Sequence, residues 1–173
     1  MTSLHNCTDI KKMQELIDSG ADVNSRDDSG NTPLQKCCDN AHFFTYSYIN
    51  NVSKEEIEKN PMYSIGTYLE IAKLLIKSGA DINSKAGGGK SPLHTSVFSV
   101  DLTELLIKLG ADINIKDYEG YTPLHISTAF DIEVARLLIK SGADINIKNN
   151  QGNKPIYNTV PNSEMNKLLI KST

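Results

Sequence analysis

The chain has 173 residues, 23% of them charged and 39% hydrophobic, with a formal net charge of −3. That composition fits a folded chain rather than a disordered one, and it argues against a nucleic-acid binder, which needs a basic face to release counterions. No apolar run reaches the roughly 18 residues of a transmembrane helix, and MTSLHNCTDIKKMQ lacks the apolar core of a signal peptide.

Thr2 to His5, TSLH, opens a series of similar strings. T-P-L followed by Gln or His recurs, with Ser for Thr in one copy, at Thr32–Gln35, Ser91–His94 and Thr122–His125, and Lys154–Tyr157 is a weaker copy. Between them S-G-A-D begins at Ser19, Ser78 and Ser141, and L-G-A-D at Leu109; each leads to an asparagine, Asn24, Asn83, Asn114 or Asn146. Pro92, Pro123 and Pro155 are spaced 31 and 32 apart, but Pro33 to Pro92 is 59 residues. A long insertion or a degenerate repeat explains that gap. Pro61 lies 31 residues before Pro92, and Asn60 to Leu74 repeats the step of 14 from Ser91 to Leu105, so the spacing favours a degenerate repeat. The expectation is one domain over 1–173 with about six repeats: 1–26, 27–56, 57–86, 87–117, 118–149 and 150–173.

The clearest copy gives the anatomy of a repeat. Asp117-Tyr118-Glu119-Gly120 is a turn, Thr122 a helix N-cap and Pro123 the first helical position, so a short helix is expected to about Ala129. Asp131 opens a second helix, with Ile132, Ala135, Leu138 and Ile139 at helical spacing, and Gly142 ends it. One such pair cannot bury its apolar face alone, so neighbouring pairs must stack.

These strings, D-x-x-G-x-T-P-L-H, an L-L-I helix and S-G-A-D-I-N, resemble the ankyrin repeat over essentially the whole chain. The resemblance implies an all-α solenoid of stacked helix-turn-helix units with projecting β-turn loops. It places His5, His94 and His125 at the motif histidine, which bonds backbone and threonine groups, with Gln35, Tyr63 and Tyr157 as less rigid replacements. Cys7, Cys37, Ser96, Ser127 and Thr159 take the small-residue position where helices approach closely, and Ile65 departs from it. The resemblance also implies a non-enzymatic protein-interaction module, a scaffold or inhibitor bound along its loops and concave helix face. Proteins of this kind and size resemble inhibitors of Rel-type transcription factors or of cyclin-dependent kinases, or effectors of large DNA viruses and intracellular bacteria. Sixteen lysines against two arginines, with frequent Ile and Asn, suggest an AT-rich genome and lean toward the last group.

Chemistry-bearing features divide against that frame. AGGGKSPLH at residues 86–94 has the look of a phosphate loop, but the first glycine of G-x-x-x-x-G-K-[ST] falls on Ser84 and no strand pattern precedes it. Nucleotide binding through Lys90 is therefore a remote alternative, and no cofactor is expected. The odd three cysteines, Cys7, Cys37 and Cys38, have no metal spacing and read as reduced thiols of a cytoplasmic protein, with the nucleus as a second compartment. Ser53-Lys54-Glu55-Glu56-Ile57-Glu58-Lys59 replaces a regular glycine turn, and Ser53 with Glu56 forms a capping box. Six of the eleven aromatics fall between Phe43 and Tyr68, and an exposed Tyr there or at the Tyr118 turn tip would anchor a partner.

The loops carry alternating charge with no continuous basic stripe, so the expected partner is a protein and not nucleic acid or a membrane. The partner-binding candidates are Asp28, Tyr46, Glu55, Glu56, Lys85, Lys90, Tyr118 and Glu119, on a chain expected to be monomeric. An alternative comes from Leu16, Leu75, Leu106 and Leu138, each eight residues before an asparagine of the loops. This resembles the motif of an asparaginyl hydroxylase, with Asn24, Asn83, Asn114 and Asn146 as targets.

Overall fold

The computed structural model describes residues 3–43, 64–161 and 163–171. Among them are eight α-helices and no strand: α1 (Ile10–Asp18), α2 (Pro33–Phe43), α3 (Ile65–Lys77), α4 (Pro92–Thr95), α5 (Val100–Lys108), α6 (Pro123–Ser127), α7 (Ile132–Lys140) and α8 (Glu164–Lys171). Short 3-10 turns at Leu4–Asn6, Gly87–Gly89, Ser96–Phe98 and Pro155–Asn158 complete the series.

The helices begin where a polar side chain can satisfy their free N–H groups. Asp9 accepts from Lys11 and Lys12, Ser64 from Gly66, Ser99 from Leu102, and Asp131 from Glu133 and Val134. Pro92 and Pro123 open α4 and α6, where a missing N–H costs nothing. The helix expected to about Ala129 stops at Ser127, because the chain must turn through Phe130 to let Asp131 cap α7. Gly142, at φ +99°, turns the chain out of α7 as expected.

The elements stack in two rows. One row runs through the Leu4–Asn6 turn, α2, α4, α6 and the Pro155–Asn158 turn; the other runs through α1, α3, α5, α7 and α8. The core lies between them. Leu34, Leu93 and Leu124 from the first row and Leu75, Leu106 and Leu138 from the second are fully buried. Ala72, Thr103 and Ala135, one turn before those second-row leucines, are buried too, and their small size lets the rows approach. Truncating any of these leucines to alanine removes about 2–5 kcal/mol.

Among the described residues each row has five members. α2 packs on α3, and Gln35 of α2 donates to the carbonyls of Ser84 and Lys90 at 3.0 and 2.9 Å. The unit opening at Thr32 therefore lies directly against the one opening at Ser91. α3 also runs unbroken through Ile65–Tyr68, where the six-repeat frame needs a turn between two helices. The units opening at Thr32 and Ser91 are thus neighbours among the described residues, although 59 residues separate Pro33 from Pro92; Pro61 lies outside the described residues.

Candidate functional site

One side chain per junction, buried at Gln35, His94 and His125 and half-buried at His5, fastens each unit to the next. The His94 Nδ1 accepts the Ser91 N–H at 3.1 Å, while Nε2 donates to the Tyr121 carbonyl of the following unit at 3.0 Å. His125 repeats this with the Thr122 N–H and the Asn153 carbonyl, both at 3.1 Å. His5 Nε2 lies 3.0 Å from the carbonyls of Ser25 and Asn31. Gln35 does the same work without an imidazole: Oε1 accepts the Thr32 N–H at 2.9 Å and the two amide hydrogens reach the next unit. It is only 2% exposed. Tyr157 is 71% exposed. Tyr63 lies outside the described residues. Burial holds the imidazoles of His94 and His125 below the usual histidine range, against the opposing pull of their carbonyl partners.

The loops form a second set of bonds. Asn24 Oδ1 accepts the Asp81 N–H at 2.7 Å, Asn83 that of Asp112 at 2.9 Å, and Asn114 that of Asp144 at 2.9 Å. Asn146 is exposed and accepts from Lys154 Nζ at 2.8 Å. Cationic side chains run in the same direction. Arg26 donates to the Lys85 carbonyl, Lys85 Nζ to that of Lys116, and Lys116 Nζ to that of Lys148, at 2.8, 2.7 and 3.0 Å. Consecutive loops are thereby held at a fixed spacing, which makes their outer surface a preformed one.

Asp28, Lys90, Tyr118 and Glu119 lie exposed on this surface, Tyr118 at 69%. Lys85 is half-buried and its ammonium is spent on the next loop, so it belongs to the scaffold. Tyr46, Glu55 and Glu56, with the Ser53 capping box, lie outside the described residues. Tyr68 is buried in α3, and Tyr121 is half-buried with its ring edge-on to His125.

A groove of about 410 Å³ opens between the third and fourth units, and sequence reasoning missed it. Phe98 and Phe130 line it, edge to face with centroids 5.2 Å apart, beside Ile126. Asp39, Lys90, Asp117 and Glu119 also line it. Phe130 is 65% exposed. A signal existed in the sequence: Phe98 and Phe130 each directly precede the N-cap of a second helix, Ser99 and Asp131.

AGGGKSPLH divides into a turn and a helix start. Gly88 and Gly89 have φ of +73° and +77°, the Gly89 N–H donates to the Ala86 carbonyl, and the Ser91 N–H is taken by His94. α4 after it has four residues. The three cysteines are buried and free, and burial pushes the Cys37 thiol up to about 12 and Cys38 well above its usual value. Cys37 and Cys38 are held as thiols, the unreactive form. Among the described residues no helix is long and apolar enough to cross a membrane.

A family model described as ankyrin repeats matches residues 1–86 and 62–149 of the chain. No curated protein matches it.

Proposed function

Because the chain belongs to the ankyrin-repeat family, whose members generally mediate protein–protein interactions, we propose that it is a non-enzymatic interaction module that binds a partner protein along its loops and first-row helices. The observation that carries this reading is the bonded series of loops. Four consecutive loops are tied by Arg26, Lys85 and Lys116, and exposed side chains stand on that rigid support. A surface already ordered in the free protein loses little conformational freedom on binding. Tyr118 suits an anchor, since a rigid amphipathic ring contributes contact area at small entropic cost. Lys90, Glu119 and Asp28 supply the surrounding charge.

The test is cross-linking and affinity capture from cells that express the protein, with the wild type beside a Tyr118→Ala, Glu119→Lys variant. Both positions are exposed, so the variant is expected to melt with the wild type while losing the captured partner. Capture that is unchanged by this pair sinks the assignment of the surface.

A further inference from the structure

Building on the interaction-module reading, we propose that the groove between the third and fourth units receives a protein segment in which a lysine or arginine stands beside an apolar side chain. Three features of the groove point to that chemistry. Phe98 and Phe130 form an edge-to-face pair with Ile126 beside it, an apolar floor inside a surface that is otherwise polar. Phe130 keeps 65% of its surface in water, so its ring is not used up by the stack. Burying a ring of that size is among the largest single gains available to an interface.

The rim has the opposite character. Among the described residues that line it, Asp117, Glu119 and Asp39 are acidic and Lys90 is basic, so carboxylates predominate around an apolar floor. Asp117 Oδ1 already accepts the N–H groups of Glu119 and Tyr121, which fixes that carboxylate in place. Glu119 is exposed at the tip of the same loop. A cation entering over the rings meets both a carboxylate and an aromatic face, and the two attractions add. An acidic segment would face repulsion from the same groups. The occupant is therefore cationic and apolar together, and its charge steers the approach.

Selection of short random peptides displayed on phage against the whole chain tests this. The expected result is enrichment of sequences that place Arg or Lys next to an aromatic or aliphatic residue. The best of them, made synthetically and measured by fluorescence anisotropy, should lose about ten-fold or more in affinity on Phe130→Ala and again on Glu119→Lys. Its affinity should fall with added salt and should not fall on Lys90→Ala, which removes a repelling cation from the rim. Thermal melts of each variant establish that the fold is kept. Enrichment of acidic peptides overturns the proposal, as does a peptide indifferent to both substitutions or a library from which nothing is retained. A selected peptide that loses affinity on Asp28→Lys and not on Phe130→Ala overturns the groove while leaving the interaction-module reading standing.

Discussion

Between the third and fourth units the loop tips touch through the backbone: the Tyr118 N–H donates to the Gly88 carbonyl at 3.0 Å, and the Asn150 N–H repeats this one unit later on Glu119 at 2.9 Å. Between the second and third units the described residues make no such bond. There the Arg26 guanidinium spans the gap, donating to its own loop at Gly30 and to Lys85 of the next, at 2.7 and 2.8 Å. The second unit is also the one whose helices are longest, eleven and thirteen residues against four and nine in the third. Its buried fastener is Gln35 where the third unit has His94. The register of the stack nevertheless passes through both junctions unchanged. What a junction needs is an acceptor turned to its own helix start and a donor turned to the next loop; tip contact, imidazole and helix length are variable means to that end.

The largest effect expected from this contrast is at the turn glycines. A Cβ on Gly89 would meet the Tyr118 backbone nitrogen at 2.6 Å, whereas one on Gly30, at the same place in the second unit's loop, meets nothing within 4 Å. Both have positive φ, a cost of about 1–2 kcal/mol for any L side chain. Gly89→Ala adds about 1–3 kcal/mol for the forced separation of two loops. Chemical denaturation should therefore show Gly89→Ala clearly the less stable, and equal losses would contradict the close approach of the tips.

Next in size is the fastener itself. His94→Ala leaves the buried Ser91 N–H without its acceptor and takes from the Tyr121 carbonyl its bond across the junction, leaving only the one from Asp117 N–H, and should cost about 1–3 kcal/mol. His94→Gln copies the second unit's solution and should recover most of that loss.

The same variants sharpen the comparison through pH. His94 and His125 titrate lower in the folded chain than the value of about 6.5 they have when unfolded. The unfolded chain thus takes up protons first, so stability is complete above that pH and is lost as pH falls through and below it. The Gln35 junction carries no such sensitivity. A His94→Gln, His125→Gln double variant should show a shallower acid loss than the wild type; an identical slope would place the proton uptake elsewhere. The smallest effect belongs to Arg26→Ala, about 1 kcal/mol or less for an exposed bridge. Its mark should be local, as faster amide exchange in residues 84–90 than in 115–121.

Much of this was legible in the sequence because each repeat restates the same local rule. Thr122-Pro123 and Asp131 announce helix starts, Gly142 a helix end, and the recurring leucines a buried stripe. Asn24, Asn83, Asn114 and Asn146 stood out by recurrence alone. Tyr118 was legible as an exposed turn tip, since no core position falls there. Lys85 was legible as a loop lysine, but not its bond to the next loop's carbonyl at 2.7 Å, which joins residues 31 apart in the chain. Phe130 was passed over because an aromatic before a helix cap is ambiguous until its neighbour, Phe98, is placed beside it.

The sequence by itself determined the helix-pair unit, its caps and turns, and the apolar positions that must be buried, because these depend on residues within a few positions of one another. Tertiary structure alone decided which unit follows which. Spacing along the chain left the neighbour of the second unit open, and the bonds from Gln35 to Ser84 and Lys90 place it against the unit opening at Ser91. It also decided the groove, whose floor and rim come from three units and exist only when α4 and α6 lie side by side. The physical reason is one of range. Capping and helical spacing are local interactions, while register and surface chemistry are made by side chains that the stack brings together from distant parts of the chain.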